Sequence, residues 1–357
     1  MAIKKLLIDL SPLRLGYCGL WEYAHQFGNT LLSLNDPSEF DVTFLAPSHH
    51  PFPKDAPVKI IPLSFFNRHV KFIVPRHDLY HALSYPSPFM PGKRYKGKCV
   101  ATIHDLNFLY EKSDNKAQRY LKHYQGTLSR IDHLVFISQY AQNDAEKHLQ
   151  FDAQNTLIYN GVAFAQNVEA QKPLVMDSVG SPFLFTVSTF MRKKNLHTIV
   201  QMMPHLPEYK LVIAGKIIHA SYFEEVKHLV RKLNLDQRVF FVGEISETEK
   251  TWLYTHCEAF LFPSIAEGFG IPPIEAMNYG KPVFVSNKTS LPEICGGYAF
   301  YWKKFEPDYM ADIFKTGMTI FRKNPAYPQR LKEHAAHYSW RSNVLQHLEL
   351  YRNLLLK

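Results

Sequence analysis

Short apolar runs separated by polar, amphipathic stretches recur along most of the chain. Residues 5–9, 41–46, 58–62, 99–103 and 133–137 are apolar runs, the pattern of strands buried on both faces, and Asp78-Leu-Tyr-His-Ala82 reads as another strand end. Between them, helical periodicity predicts helices running to about Leu34, over 119–130, and from Ser138, a hydroxyl suited to N-capping. Asn160-Gly161 supplies a turn, and 163–181 mixes polar and small residues without a period, as a linker would. A second series follows at 183–187, 209–214, 239–243, 259–262 and 283–285, with a capping box at Ser246 and Glu249. Strands alternating with helices at this spacing predict an α/β protein with doubly wound parallel sheets. The division expected is a first domain over 1–170, a second over 171–340, and a C-terminal helix opening at Ser339-Trp340.

One stretch stands apart. Ala259-Phe-Leu-Phe262 reads as a buried strand, and a glycine-bearing loop follows through Glu267-Gly-Phe-Gly270. Pro272 or Pro273 suits a first helical turn, Gly280-Lys-Pro282 stops the helix, and Val283-Phe-Val285 is the next strand. The loop therefore sits at a strand's carboxyl end, with helix N–H groups aimed at whatever anion binds there. Glu267 falls in the loop and Glu275 in the first helical turn, where a carboxylate complements the helix dipole. Arg192-Lys-Lys194 ends another strand just before a helix starting near Asn195, an arrangement open to two readings: a diphosphate site or a solvated basic turn. His104-Asp105 ends the run Cys99-Val-Ala-Thr-Ile, where a histidine is structural or catalytic and the aspartate caps or orients. Residues 16–23 form a loop after the first strand, whose Gly16 and Gly19 make a tight turn or cradle a phosphate.

Composition narrows the classes. A chain of 357 residues with 46% hydrophobic and 14% aromatic content is long enough for two cores and too apolar for disorder. The net charge of +9 fits a polyanion or an anionic membrane surface, but the charges are scattered, without the clustered Lys/Arg and aromatics of a nucleic-acid-binding surface. Basic and aromatic residues in 64–95 and 112–130 (Phe65, Phe66, Arg68, His69, Lys71, Tyr95, Arg119, Lys122) are candidates for touching a membrane. Four cysteines without CxxC spacing read as reduced thiols in a cytoplasmic protein, not as a zinc site or disulfide framework. The first residues turn acidic too soon for a signal peptide, and no apolar run of about 18 residues predicts a spanning helix.

Glu267-Gly-Phe-Gly-Ile-Pro-Pro-Ile-Glu275-Ala-Met resembles the E-x7-E donor-site motif of the retaining GT-B glycosyltransferases of family 4 (glycosyl transferases group 1), in a mannosyltransferase-like version. Thr-Ile-His104-Asp-Leu is similar to the family's HD segment, Lys193-Lys194-Asn195 to its Arg-Lys-Asn, and Leu291-Pro-Glu293 also matches. The resemblance implies two Rossmann-like domains facing a cleft, the first for the acceptor and the second for a nucleotide-sugar donor. It also implies a C-terminal helix, 341–357, crossing back to the first domain. Catalytic roles fall to His104, which contacts the donor sugar near the acceptor side, to Glu267 and to Lys194. Donor binding falls to Gly19, Lys193 and Lys194 at the diphosphate, with help from Arg192. Gly243, Glu244 and Ile245 wall the base, Glu267, Gly268, Phe269, Gly270 and Ile271 hold the sugar, and Glu275 takes the ribose hydroxyls.

The family pattern is not complete. Trp21 and Glu22 replace a glycine and an arginine of its first loop, Ser188 replaces a glycine, and Thr189 stands where many relatives carry an arginine. The function implied is retaining transfer of a hexose, without metal or cofactor, to a saccharide or lipid-linked acceptor in surface polysaccharide or lipopolysaccharide assembly at the inner face of the membrane. A catalytically degenerate binding subunit, a sugar-nucleotide epimerase and a phosphorylase are the alternatives. No nucleic-acid partner is expected, and donor, acceptor and oligomeric state are left open.

Overall fold

The computed structural model describes residues 2–16, 18–53, 55–64, 76–92, 94–164, 169–180 and 182–355. The chain divides into two units, Met1–Gly161 with Tyr338–Lys357, and Val162–His337.

In the first unit the chain runs β1 (Lys4–Asp9), α1 (Gly19–Leu34), β2 (Phe40–Ala46), β3 (Lys59–Pro62), β4 (Leu79–Ala82) and β5 (Lys98–Ile103). It continues through α2 (Asp114–Leu128), β6 (His133–Phe136), α3 (Gln139–His148) and β7 (Gln154–Leu157). The strands form one sheet in the order β3-β2-β1-β4-β5-β6-β7, with every pairing parallel. Side chains alternate across it. Leu6 and Ile8 join Phe27 and Leu31 in a core on one face, while Leu7 joins Tyr80, Ile103 and Phe136 on the other. Both faces being covered is why the strands read as continuous apolar runs.

Helix α1 starts at Gly19, so Trp21, Glu22 and Tyr23 lie in its first turns and not in a loop that continues to Tyr23. Burial of Tyr23, Ala24, Phe27 and Leu31 at helical spacing outweighs the poor helix propensity of the leading glycine.

The second unit contains β8 (Phe183–Val187), α4 (Leu196–Met202), β9 (Lys210–Ala214), α5 (Ala220–Lys232), β10 (Val239–Gly243), α6 (Glu247–His256) and β11 (Ala259–Phe262). After these come α7 (Ile271–Asn278), β12 (Val283–Ser286), β13 (Phe300–Trp302), α8 (Pro307–Lys323) and α9 (Tyr327–Ala336). Its sheet runs β10-β9-β8-β11-β12-β13, again all parallel. The stretch read as a linker carries a helical turn, Met176–Val179, whose two end residues are buried.

Helix α10 (Trp340–Leu355) belongs to the first unit and packs on α1. Its Trp340, Val344, Leu348 and Tyr351 share the core of Leu6, Ile8 and Phe27. A Cβ on Gly161 would lie 2.4 Å from the Trp340 ring, so only glycine lets the backbone pass there. Beneath α10 lies a fully buried polar group. His81 Nδ1 is 2.6 Å from the Tyr351 hydroxyl and its Nε2 is 2.9 Å from Thr102 Oγ1. His347 stacks on His81 with centroids 5.3 Å apart, and its Nδ1 donates to the Asn343 carbonyl at 2.9 Å.

Candidate functional site

In each sheet the strand order reverses beside the first strand of its unit, between β1 and β4 and between β8 and β11. Open parallel sheets hold ligands at the carboxyl ends of the strands flanking such a reversal. In the second unit those are the loops after β8 and β11, which carry Lys194 and Glu267.

The two side chains meet. Lys194 Nζ lies 2.6 Å from Glu267 Oε1, with 14% and 13% of the side chains exposed, and the ammonium sits 5.3 Å from the Phe262 ring centre. Backbone bonds clamp one loop to the other: Ile265 N–H donates to the Lys193 carbonyl at 2.8 Å and Ser264 Oγ donates to it at 3.2 Å. A left-handed Asn195, φ 57°, ends the turn Arg192–Lys194 and redirects the chain into α4. Arg192 points elsewhere, to an ion pair with Glu225 and the face of Tyr222. Both Arg192 and Glu225 are exposed in this pair.

The loop after β11 is fixed from the β12 side. Thr289 Oγ1 accepts from Glu267 N–H at 3.1 Å, and Ser290 Oγ lies within 3.1 Å of the Glu267 carbonyl and 2.8 Å of the Phe269 carbonyl. Gly268, Phe269 and Gly270 are buried in this loop, and Ile271 opens α7. Gly270 has φ 104° and a Cβ there would fall 2.6 Å from Leu291 Cδ2. Gly270→Ala is therefore expected to cost about 1–3 kcal/mol from left-handed strain and overpacking together. A fall of several degrees in the melting temperature checks it, and an unchanged melt would contradict it.

Glu275 is the fifth residue of α7 and not in its first turn, because the helix begins at Ile271 and takes both prolines into that turn. Dipole complementation does not account for it. Its Oε1 lies 3.0 Å from Lys250 Nζ, and its Oε2 accepts from the Tyr254 hydroxyl at 2.9 Å. Burial alone would lower the Lys250 pKa, but Glu275 and Glu247 outweigh it and hold the ammonium above its ordinary range. Burial first, and Glu275 second, push the Tyr254 phenol well up. Lys250, Tyr254, Thr289 and Ser290 were not singled out by the sequence reading. Gly243, which ends β10 with φ 72°, and Glu244 after it are exposed, and Ile245 is half-buried. The Gly243 carbonyl accepts from Gly215 N–H at 2.7 Å. Lys193, through its carbonyl, is part of the clamp described above.

In the first unit, Gly19 is the exposed first residue of α1, with nothing within 4 Å of where a Cβ would stand. His104 follows β5 directly. Its Nε2 donates to the Leu83 carbonyl at 2.8 Å and its ring stands edge-on to Tyr23 with centroids 4.6 Å apart. Burial pushes its pKa down to about 4, against a smaller opposing effect of the Leu83 carbonyl, so the ring is neutral near pH 7 with Nδ1 as an acceptor. Asp105 accepts from Asn107 N–H at 2.9 Å, the capping role. Phe65, Phe66, Arg68, His69 and Lys71 lie outside the described residues. Arg119 and Lys122 are exposed on α2, whereas Tyr95 is half-buried with its hydroxyl on the His77 carbonyl. Among the described residues, no helix is long and apolar enough to cross a membrane.

Two family models match in tandem, Glycosyltransferase Family 4 over residues 29–166 and Glycosyl transferases group 1 over 167–338. Among similar curated proteins is the serotype-specific mannosyltransferase WbdA of Escherichia coli, 27% identical over 84% of this chain. The chain spans 37% of WbdA's length. Another is the O-antigen chain mannosyltransferase RfbU of Salmonella typhimurium, 27% identical over 56% of this chain and 55% of RfbU. Among solved structures, Anabaena Alr3699/HepE in complex with UDP and glucose superposes with a TM-score of 0.76 at 18% identity, covering 98% of this chain and all of that one, a likeness of fold. With the two models together spanning residues 29–338 and the fold shared, the chain belongs to the GT-B glycosyltransferases of group 1 and family 4.

Proposed function

We propose that this chain transfers a hexose, mannose being the first to test, from a nucleotide-diphosphate sugar to a saccharide or lipid-linked acceptor. The observation that carries the reading is the Lys194–Glu267 pair at the sheet reversal of the second unit, with Glu275 on the helix that follows. A leaving diphosphate needs fixed positive charge. Lys194 and the N–H groups of the loop entering α7 supply it without a metal ion or resident cofactor. Lys193 assists at the diphosphate, residues 267–271 hold the sugar, and the loop at Gly243, Glu244 and Ile245 borders the base.

Transfer proceeds with retention. The bond from the anomeric carbon to the diphosphate breaks and a bond to the acceptor oxygen forms on the same face. The acceptor's proton passes to the departing phosphate oxygen. His104, neutral and with Nδ1 able to accept, is the first unit's group for binding a sugar hydroxyl. The similarity to RfbU, an O-antigen chain mannosyltransferase, supports an assignment to surface-polysaccharide assembly. We place the protein in the cytoplasm, associating peripherally with anionic membrane through exposed basic residues such as Arg119 and Lys122 on α2.

The test is a thermal-shift panel of GDP-, UDP-, ADP- and dTDP-sugars with EDTA present, followed by NMR of the product's anomeric linkage. A ligand that binds only the native state raises its stability by mass action. A shift with one nucleotide class and a product of retained configuration is expected. Binding without turnover on any acceptor would favour a degenerate subunit, the reading that Trp21 and Thr189 motivate. A shift with none would remove the proposal.

A further inference from the structure

We propose that Thr289 is a positioning residue for transfer, held in a left-handed backbone so that its hydroxyl pins the main chain of Glu267, and that this strain is kept at a cost in stability. The inference rests on the reading of Lys194 and Glu267 as the place of transfer and extends it to a residue on another loop, the one after β12.

Among the described residues, three that are not glycine have positive φ: Asn195, Asn234 and Thr289. Asparagine tolerates that region because its short amide bonds locally, whereas a β-branched side chain there is an outlier. Thr289 has φ 53°, and Leu291 N–H closes a turn on the Lys288 carbonyl at 3.2 Å, with Ser290 at φ −77° and ψ −14°. A turn with positive φ at its first central residue and those angles at its second is type II′, and its first central position ordinarily takes glycine. Strain of this kind persists only where the surroundings fix it. Here Ser290 and Leu291, both fully buried, hold the chain on the far side of Thr289. The strained residue has one visible return. Its Oγ1 accepts from Glu267 N–H at 3.1 Å, while Ser290 Oγ lies 3.1 Å from the Glu267 carbonyl. Glu267 is thus held at both ends of its main chain, and its carboxylate meets Lys194 at 2.6 Å. The other ties on this loop, the Ser286 hydroxyl on the Ser264 carbonyl and Ile265 N–H on the Lys193 carbonyl, all precede Glu267. Glycine at 289 would relax the turn and take away the acceptor; serine would remove the β-methyl and keep it. Freed from that bond, Glu267 can drift, and a misplacement of about 1 Å can cost on the order of a hundredfold in rate.

The experiment compares the whole chain as wild type, Thr289→Gly, Thr289→Val and Thr289→Ser. Melting temperature is read beside steady-state release of GDP from GDP-mannose, or of the nucleotide from whichever donor of the panel above turns over. Thr289→Gly and Thr289→Val, which lack the hydroxyl, should lose about tenfold or more in kcat with KM within about threefold. Thr289→Ser should recover turnover to within about threefold of the wild type. Stability should sort the same proteins differently, with Thr289→Gly melting about 2–5 °C above Thr289→Val although neither has the hydroxyl. Turnover that follows the melting temperature through the series would make Thr289 a brace of the fold and overturn the proposal. Full turnover in both Thr289→Gly and Thr289→Val would also overturn it, and would leave the reading of Lys194 and Glu267 standing. If no donor turns over, or if Lys194→Ala measured alongside matches the wild type, that reading falls and the proposal with it. Should Thr289→Val not fold, Thr289→Gly against Thr289→Ser decides: equal turnover overturns the proposal, and a gap of about tenfold supports it.

Discussion

Lys194→Ala is expected to lower kcat/KM for the nucleotide sugar by about a hundred- to a thousandfold, the usual cost of removing one fixed group that stabilises developing charge. The fall should appear in kcat as well as KM, because charge on the leaving diphosphate grows towards the transition state. Its size is set by what remains as well as by what is lost. Glu267 lies 2.6 Å from the ammonium, so the variant leaves a shielded carboxylate without its cation, beside the proposed position of the phosphates. Nucleotide affinity should then drop further than the loss of one lysine contact implies.

The double variant Lys194→Ala/Glu267→Gln separates the two effects. Removing the stranded charge should restore part of the nucleotide affinity and none of the turnover, a coupling that single substitutions cannot reveal. Steady-state kinetics beside nucleotide titration measure both. Turnover within about threefold of wild type in Lys194→Ala would exclude charge stabilisation by this lysine as a main source of rate.

Acid should loosen the first unit before neutral-pH chemistry is affected. His347 is fully buried, and burial pushes its pKa down to about 4, the Asn343 carbonyl opposing this only weakly. Burial, then the charges of His347, His133 and His104, drives His81 well below its ordinary value. The groups facing the pair are Thr102 from β5, Phe27 from α1, and Asn343 and Tyr351 from α10, none of them a carboxylate able to stabilise an imidazolium. Because these histidines are neutral when folded and protonate near 6.5 when unfolded, the unfolded chain binds more protons between those values. Stability is therefore fully present above about pH 6.5 and is lost as pH falls towards about 4.

For His347 alone the ceiling is about 3 kcal/mol. His347→Leu, close in volume and unable to titrate, should cost little at pH 7.5 and be the more stable form near pH 4.5. Urea unfolding of both proteins across that range is the measurement. A difference between them that does not change with pH would show that the buried pair does not govern the acid response.

How much of this was legible in the sequence depends on whether the cause was local. The strands of both sheets, the Ser246–Glu249 capping box and the glutamate-bearing loop were readable because apolar runs, caps and glycines act over a few residues. The start of α1 was not. Gly19 looks like a loop residue, and only burial of Tyr23 and Phe27 against distant strands makes it helical. Glu275 was expected in the first helical turn, whereas counted from Ile271 it is the fifth residue of α7. Its partners were invisible for a different reason. Lys250 and Tyr254 sit on another helix, 25 and 21 residues away, and nothing in their own neighbourhood distinguishes them from ordinary helix residues. Likewise His81 read as the end of a strand, while its partner Tyr351 is 270 residues distant.

The return of residues 338–357 to the first unit has a consequence for synthesis. On the ribosome, residues 162–337 emerge as one uninterrupted stretch and contain everything their own sheet needs. The earlier-made unit must wait, with the face of β1 and α1 that Trp340, Val344, Leu348 and Tyr351 will cover still open to water. Of the two units, the one begun first is thus finished last. During that interval a nascent chain shows chaperones a sticky surface on that unit, and loss of residues 338–357 would damage it and not the unit made after it.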